Sequence, residues 1–372
     1  MKDHSSKNVF FELVRAGLWE KNIQLLPYGE TDFQVVYKLA QEQSVIGLAT
    51  AGLEFVTDKK IPKEVVKLFF RNVVQLEKRN KAMNGFIAVV SERMYRAGIY
   101  MLLVKGQGIA QCYGRPLWRC CGDVDFLLEG DNYCKAKEYL VPLSQSVGAE
   151  DAYCRHLEMS INRWVVELHG ALRTELSFGI DRQLDDIQKE MFVNGEVRQW
   201  NNEGIMVYLP SADNDVIFIF THFLKHFYKG GLGLRQICDW CRLLWVFKDD
   251  IDKELLEKRL KSLGLLSEWK AFGAFAVDYL GMPDGAMPFY DPSFKWSKKA
   301  MHICNFVLKV GNMGHNRDMP SYGKYPYLLK KAISFGRRFG DLYRHARIFP
   351  KNSFRFVPSI MSHGIASAMK GL

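Results

Sequence analysis

Asp123-Val124-Asp125-Phe126-Leu127-Leu128 sets two carboxylates into a short, β-rich apolar run. Residues two apart in a strand face the same side, so Asp123 and Asp125 project together while Val124 and Phe126 enter a core. Two carboxylates about 5 Å apart repel by about 3 kcal/mol at an effective dielectric near 20. A divalent cation removes that penalty. Mg²⁺ is suited to such a site, because it takes one or two carboxylates together with substrate phosphates and waters. Upstream, Ile99-Tyr100-Met101-Leu102-Leu103-Val104 reads as a second buried strand, and it runs into Lys105-Gly106-Gln107-Gly108. Glycine has no Cβ, so backbone N–H groups can approach an anion there, and Lys105 and Arg119 add positive charge.

Further out, the same unit continues. Asn132–Leu140 reads as a helix ended by Pro142, and strands are expected near 155–162 and 163–172, joined by a turn at Asn162-Arg163. On the N-terminal side, Val66, Phe69, Phe70, Val73, Leu76, Met83, Ile87, Val90 and Met94 recur at helical spacing between Pro62 and Gly98. Two shorter helices are expected at 10–19 and 32–43. After Ser211, a residue type suited to an N-cap, helices are expected at 213–228, 234–247, 253–263, 269–280 and 297–310. The layout predicts an α+β protein: an N-terminal helical region (1–98), a small mixed-sheet core (99–210), a C-terminal helical domain (211–320) and a basic aromatic tail (321–372).

The motifs around the two aspartates resemble a known signature. Leu103-Val104-Lys105-Gly106, Tyr113, Arg119, Gly122-Asp123-Val124-Asp125 and Val166-Glu167-Leu168-His169 are similar to the uncharacterised bacterial nucleotidyltransferase family of the DNA polymerase β-like superfamily. The resemblance implies an Mg²⁺-dependent transfer of NMP from an NTP, with ATP the commonest donor, to a hydroxyl or phosphate acceptor that the sequence does not name. Two Mg²⁺ ions, replaceable by Mn²⁺, would be held by Asp123, Asp125 and a third carboxylate from a neighbouring strand. Glu167 is the first choice for that carboxylate and Glu158 the rival. Lys105, Gly106, Gln107, Arg119 and Gly122 would contact the nucleotide, and His169, on the same face as Glu167, would contact substrate. The sequence departs from the wider superfamily where Gln107 replaces the usual Ser, removing a hydroxyl contact to phosphate. A catalytically inactive nucleotide-binding or scaffold protein is therefore the alternative.

Other residues support structural readings. Cys238-x-x-Cys241 has the spacing of half a zinc site, but it lies on a helical stripe with Leu234, Ile237, Leu244 and Trp245, so buried thiols are expected. His222 and His226, four apart on a helix, lack a metalloprotease glutamate and are read as core or surface residues. Arg235 and Asp239 are spaced for an i,i+4 pair. The formal net charge of +10 sits in the tail: residues 321–372 hold ten Lys and Arg against Asp341, leaving 41 basic and 40 acidic residues elsewhere. A basic groove through the main fold is thus not expected, whereas the tail could meet an anionic membrane surface or RNA. No apolar run approaches the length of a transmembrane helix and the start lacks a secretory pattern, so a cytoplasmic protein, peripheral to the membrane if the tail binds lipid, is expected.

Overall fold

A computed structural model describes residues 2–193, 195–229, 231–311, 329 and 340–369. Helices α1 (Lys2–Trp19), α2 (Phe33–Glu42) and α3 (Ile46–Leu53) open the chain, followed by the long α4 (Lys63–Arg96). Pro62 is the N-cap residue of α4, and Gly98 follows its end with φ 70°. The buried stripe Phe69, Val73, Met83, Ile87, Val90 and Met94 repeats at three- and four-residue spacing, which explains why this segment forms one continuous amphipathic helix.

A five-stranded sheet follows, built from β1 (Leu102–Val104), β2 (Val124–Leu127), β3 (Ser146–Val147), β4 (His156–Ile161) and β5 (Trp164–His169). Their spatial order is β1-β2-β5-β4-β3. β2 and β5 run parallel, and the other neighbours are antiparallel. Asn162 takes φ 56° at the β4–β5 turn, a conformation that Asn tolerates better than most residues. Helix α5 (Gly106–Ala110) joins β1 towards β2, and α6 (Asp131–Leu140) joins β2 towards β3.

The pleat divides the sheet between two cores. Leu103, Val124, Phe126, Met159, Val166 and Leu168 pack on one face with Met83, Ile87, Val90 and Met94 of α4. Leu102, Val104 and Leu127 belong to the other core, which also unites the N-terminal helices with the C-terminal ones. That second core is built by α7 (Phe178–Val193), α8 (Ala212–Lys229), α9 (Leu234–Val246), α10 (Lys253–Leu263), α11 (Leu266–Asp278) and α12 (Phe294–Val310). Gly47 shows how closely these parts fit, since a Cβ there would lie 1.8 Å from the Trp118 carbonyl oxygen. Only glycine allows α3 to rest on the segment leading into β2.

Several elements escaped the sequence reading. α3 is nearly all apolar and buried, so it carries no amphipathic period. α7 and the hairpin β6 (Val197–Asn202) with β7 (Ile205–Pro210) were also not anticipated. The expected Arg235–Asp239 pair is not made. Asp239 is buried and receives Arg119 instead, while Arg235 donates to the Cys120 carbonyl at 2.9 Å. Cys238 and Cys241 are fully buried, as expected for small hydrophobes, and burial pushes both thiols up.

Within the expected tail, residues 321–328, 330–339 and 370–372 lie outside the described residues. The described part includes a C-terminal helix, Pro350–Met369. Ile348, Phe349 and Phe356 enter the main core, and Asn352 donates to Glu268 Oε1 at 2.7 Å. Among the described residues, no helix is long and apolar enough to cross a membrane.

Candidate active site

The site forms on the sheet face that α8 and α9 overhang. Its central positions follow from strand register. Asp125 on β2 is paired with Glu167 on parallel β5, and Leu127 with His169. On the antiparallel side His156 of β4 is paired with His169 and Glu158 with Glu167. Alternation then sends Asp125, Glu167, His169 and His156 to the same face. Val124, Phe126, Val166 and Leu168 go to the opposite core.

Asp123, just before β2, completes an acidic group with Asp125 and Glu167. One carboxylate oxygen from each lies within 4.8 Å of those of the other two. Glu158 is exposed and is not part of that group, although it opposes Glu167 across the sheet. Three hard oxygen donors gathered at this spacing are the kind of donor set that Mg²⁺ takes.

Protein cations already address these acids. Lys105 Nζ lies 2.5 Å from Asp125 Oδ1 and 4.0 Å from Glu167 Oε2. With a proton on Nε2, His169 donates to Asp125 Oδ1 at 2.8 Å, and that nitrogen is 3.2 Å from Glu167 Oε2. His156 Nε2 lies 3.2 Å from the same oxygen. Burial raises the Asp125 carboxyl above its ordinary range, with Asp123 and Glu167 adding to the rise, against the pull of Lys105 and His169. Burial also works to raise Glu167, but the two histidine contacts and Lys105 outweigh it and hold that carboxyl well below its ordinary range. Burial disfavours the Lys105 ammonium, yet Asp125, Glu167 and Asp123 more than compensate.

The backbone beneath Lys105 is unusual. Lys105 has φ 56° and ψ −146°, a region that side chains rarely enter, and Gly106 follows with φ 40°. A Cβ on Gly106 would sit 3.3 Å from Cys121 Sγ and 3.4 Å from the Asp123 carbonyl oxygen. The turn after β1 is therefore pressed directly against the residues that lead into β2. Helix α4 fixes that lead from the other side. Arg79 donates to the carbonyls of Cys121 and Gly122, and Asn80 Nδ2 donates at 2.8 Å to those of Leu117 and Arg119.

Lys105, Gly106, Arg119, Gly122, Asp123, Asp125, Glu167 and His169 all line one cavity of about 430 Å³. Gln107 does not. Its side chain is buried against α4, with Nε2 3.6 Å from Met83 Sδ. Arg119 reaches the cavity, but its guanidinium grips Asp239 through Nε at 2.8 Å and Nη2 at 2.6 Å. Tyr113 donates to the same Asp239 at 2.7 Å. The opposite wall comes from α8 and α9, with His222, Lys225, His226 and Arg235. Burial holds His222 well below its ordinary value and pushes His226 down to about 3, with Lys105 the next cause for both. The His222 and His226 Nε2 atoms lie 3.1 Å apart. These four residues and His156 were not singled out for the site from sequence. The usable signal was their spacing on an overhanging helix, together with the alternation of β4.

A family model described as an uncharacterised nucleotidyltransferase matches residues 29–281, about two thirds of the chain. The chain belongs to this family. The matched segment of this nucleotidyltransferase-family chain contains the sheet, the acidic group and helices α8 and α9. No curated protein matches. Among solved structures, an antigenic nucleotidyltransferase-like protein from Paracoccidioides brasiliensis aligns with a TM-score of 0.33 and 15% identity, over 54% of this chain and 92% of that one.

Proposed function

We propose that this chain transfers a nucleotidyl group from an NTP, ATP being the first donor to test, to a hydroxyl or phosphate acceptor. Asp123, Asp125 and Glu167 would hold Mg²⁺, or Mn²⁺ in its place. The observation that carries the reading is the convergence of these three carboxylates, from β2, the residue before it and the adjacent parallel β5, at the wall of one cavity. When bound, the divalent cation neutralises phosphate charge and sharpens the electrophilicity of the attacked phosphorus.

The chain's own groups take the remaining roles. Lys105 can exchange its contact with Asp125 for a phosphate oxygen without leaving the cavity. Lys225 and Arg235, across the cavity, supply charge for the rest of a triphosphate. Arg119 acts as a positioning residue, because its donors are committed to Asp239 and hold α9 against the segment before β2. Gln107 acts in packing, since its side chain faces α4 and away from the cavity. Gly106 and Gly122 contribute backbone. His169 orients Asp125 and Glu167 and stands close enough to them to touch the acceptor.

The test is incubation of the full chain with labelled NTPs and Mg²⁺, following pyrophosphate release. The wild-type chain should release pyrophosphate in the presence of an acceptor mixture. Asp123→Ala should reduce release by at least about 100-fold, the order seen when a group stabilising transition-state charge is removed. Tight NTP binding without any release would support the inactive scaffold instead.

A further inference from the structure

We infer that His156, His169 and Glu167 form a second cation site, selective for a borderline transition-metal dication such as Zn²⁺, beside the all-oxygen group. Their three ligand atoms lie within 4.8 Å of one another and open to the same cavity. His156 Nε2 and His169 Nε2 each lie 3.2 Å from Glu167 Oε2. Ligand atoms about 2.1 Å from one metal are separated by about 3.0 Å at right angles and about 3.4 Å at tetrahedral angles. The two separations to Glu167 Oε2 fall between these two geometries.

Hydrogen bonding alone serves this cluster poorly. Charge-assisted N–H···O bonds to a carboxylate are shorter, about 2.7–2.9 Å. The one proton that His169 Nε2 can carry is engaged by Asp125 Oδ1 at 2.8 Å, so its contact with Glu167 has no proton of its own. A dication at this point takes the place of the His169 Nε2 proton, which leaves to solvent with loss of the hydrogen bond to Asp125, and gives both imidazole lone pairs and the Glu167 carboxylate one common partner. Two nitrogens and one oxygen suit Zn²⁺ and its neighbours, whereas Mg²⁺ prefers oxygen throughout. The ladder makes the arrangement rigid, since His156 and His169 are register partners and Glu167 lies two residues before His169 on the same face. Glu167 would then be shared by two different kinds of cation. The inference adds to the proposed function but does not require that a nucleotide be turned over.

The experiment measures binding of Zn²⁺ and of Mg²⁺ to the full chain by calorimetry, without nucleotide, and records X-ray absorption of the Zn²⁺-loaded wild-type protein. The wild-type spectrum should show scattering from two imidazoles. His156→Ala should weaken Zn²⁺ binding by at least about tenfold while Mg²⁺ binding persists. An all-oxygen shell, sulfur scattering from cysteine, or Zn²⁺ affinity unaltered in His156→Ala would each overturn the inference. Because the wild-type spectrum needs no variant, poor folding of His156→Ala would not protect it. Pyrophosphate release reports separately on the nucleotidyl-transfer reading.

Discussion

Asp125 and Glu167 are direct register partners on two parallel strands, and Lys105 places its ammonium 2.5 Å from the first and 4.0 Å from the second. The relationship explains how two acids can share one sheet face in a largely dry setting. A parallel pairing brings equivalent positions side by side, and an ammonium from the next turn offsets their repulsion. It also makes Lys105 a competitor of any metal for the same oxygen atoms.

Lys105→Met should therefore lower stability by about 3 kcal/mol in metal-free buffer, as expected when one member of a buried ion pair is removed. Added Mg²⁺ should recover part of that loss, and should raise the melting temperature of the variant more than that of the wild type. Thermal unfolding with and without Mg²⁺ checks both statements. Equal Mg²⁺ responses would show that the ammonium and the cation do not address the same acids.

Acidification should destabilise the chain below about pH 6.5 in metal-free buffer. His222 and His226 are held neutral in the folded state, His226 down to about 3, so the unfolded chain binds more protons between these values. Their contribution is complete above the unfolded histidine value and is lost as pH falls through this window, by up to about 1.4 kcal/mol per pH unit for each histidine. Glu167, held low, adds in the same direction below its unfolded value, whereas Asp125, held high, opposes it. Urea unfolding from pH 7 to 4 should show the slope, and His226→Gln should flatten it.

Asp239→Ala should cost about 3–5 kcal/mol, because it strands the buried Arg119 guanidinium and removes the acceptor of Tyr113. The double variant Arg119→Met, Asp239→Leu should be less damaged than Asp239→Ala alone. A denaturant-unfolding cycle measures the coupling. If the single and double variants are equally unstable, the pair is not what holds α9 to the segment before β2.

The C-terminal segment presents Arg344, Arg347, Lys351 and Phe354 to solvent while Phe349 and Phe356 are buried. Replacing Arg344, Arg347 and Lys351 together with Glu should leave the melting temperature nearly unchanged. The same triple variant should weaken binding to anionic vesicles or RNA if the tail is the contact surface. Unaltered binding to both would remove that role from these residues. Truncation is a poorer test, since it would also take Phe349 and Phe356 out of the core.

Local pattern was enough for much of this protein. The period of α4, the two apolar strands flanking the glycine turn, the Asn162 hairpin and the Asp123–Asp125 alternation all follow from short-range rules, and each is present as an element. α3 was illegible because a helix buried on every side has no periodic signal, and Gln107 was read toward the site because backbone position does not reveal which way a side chain turns.

What the sequence determined by itself is the set of donors and the faces they occupy, because strand alternation acts over two residues. Which acids meet was decided by tertiary structure. The β2–β5 pairing joins residues separated by forty-two positions in the chain, and α8 then lowers its histidines and Lys225 over them. Such contacts depend on register and on helix packing across distant segments, which no local spacing specifies.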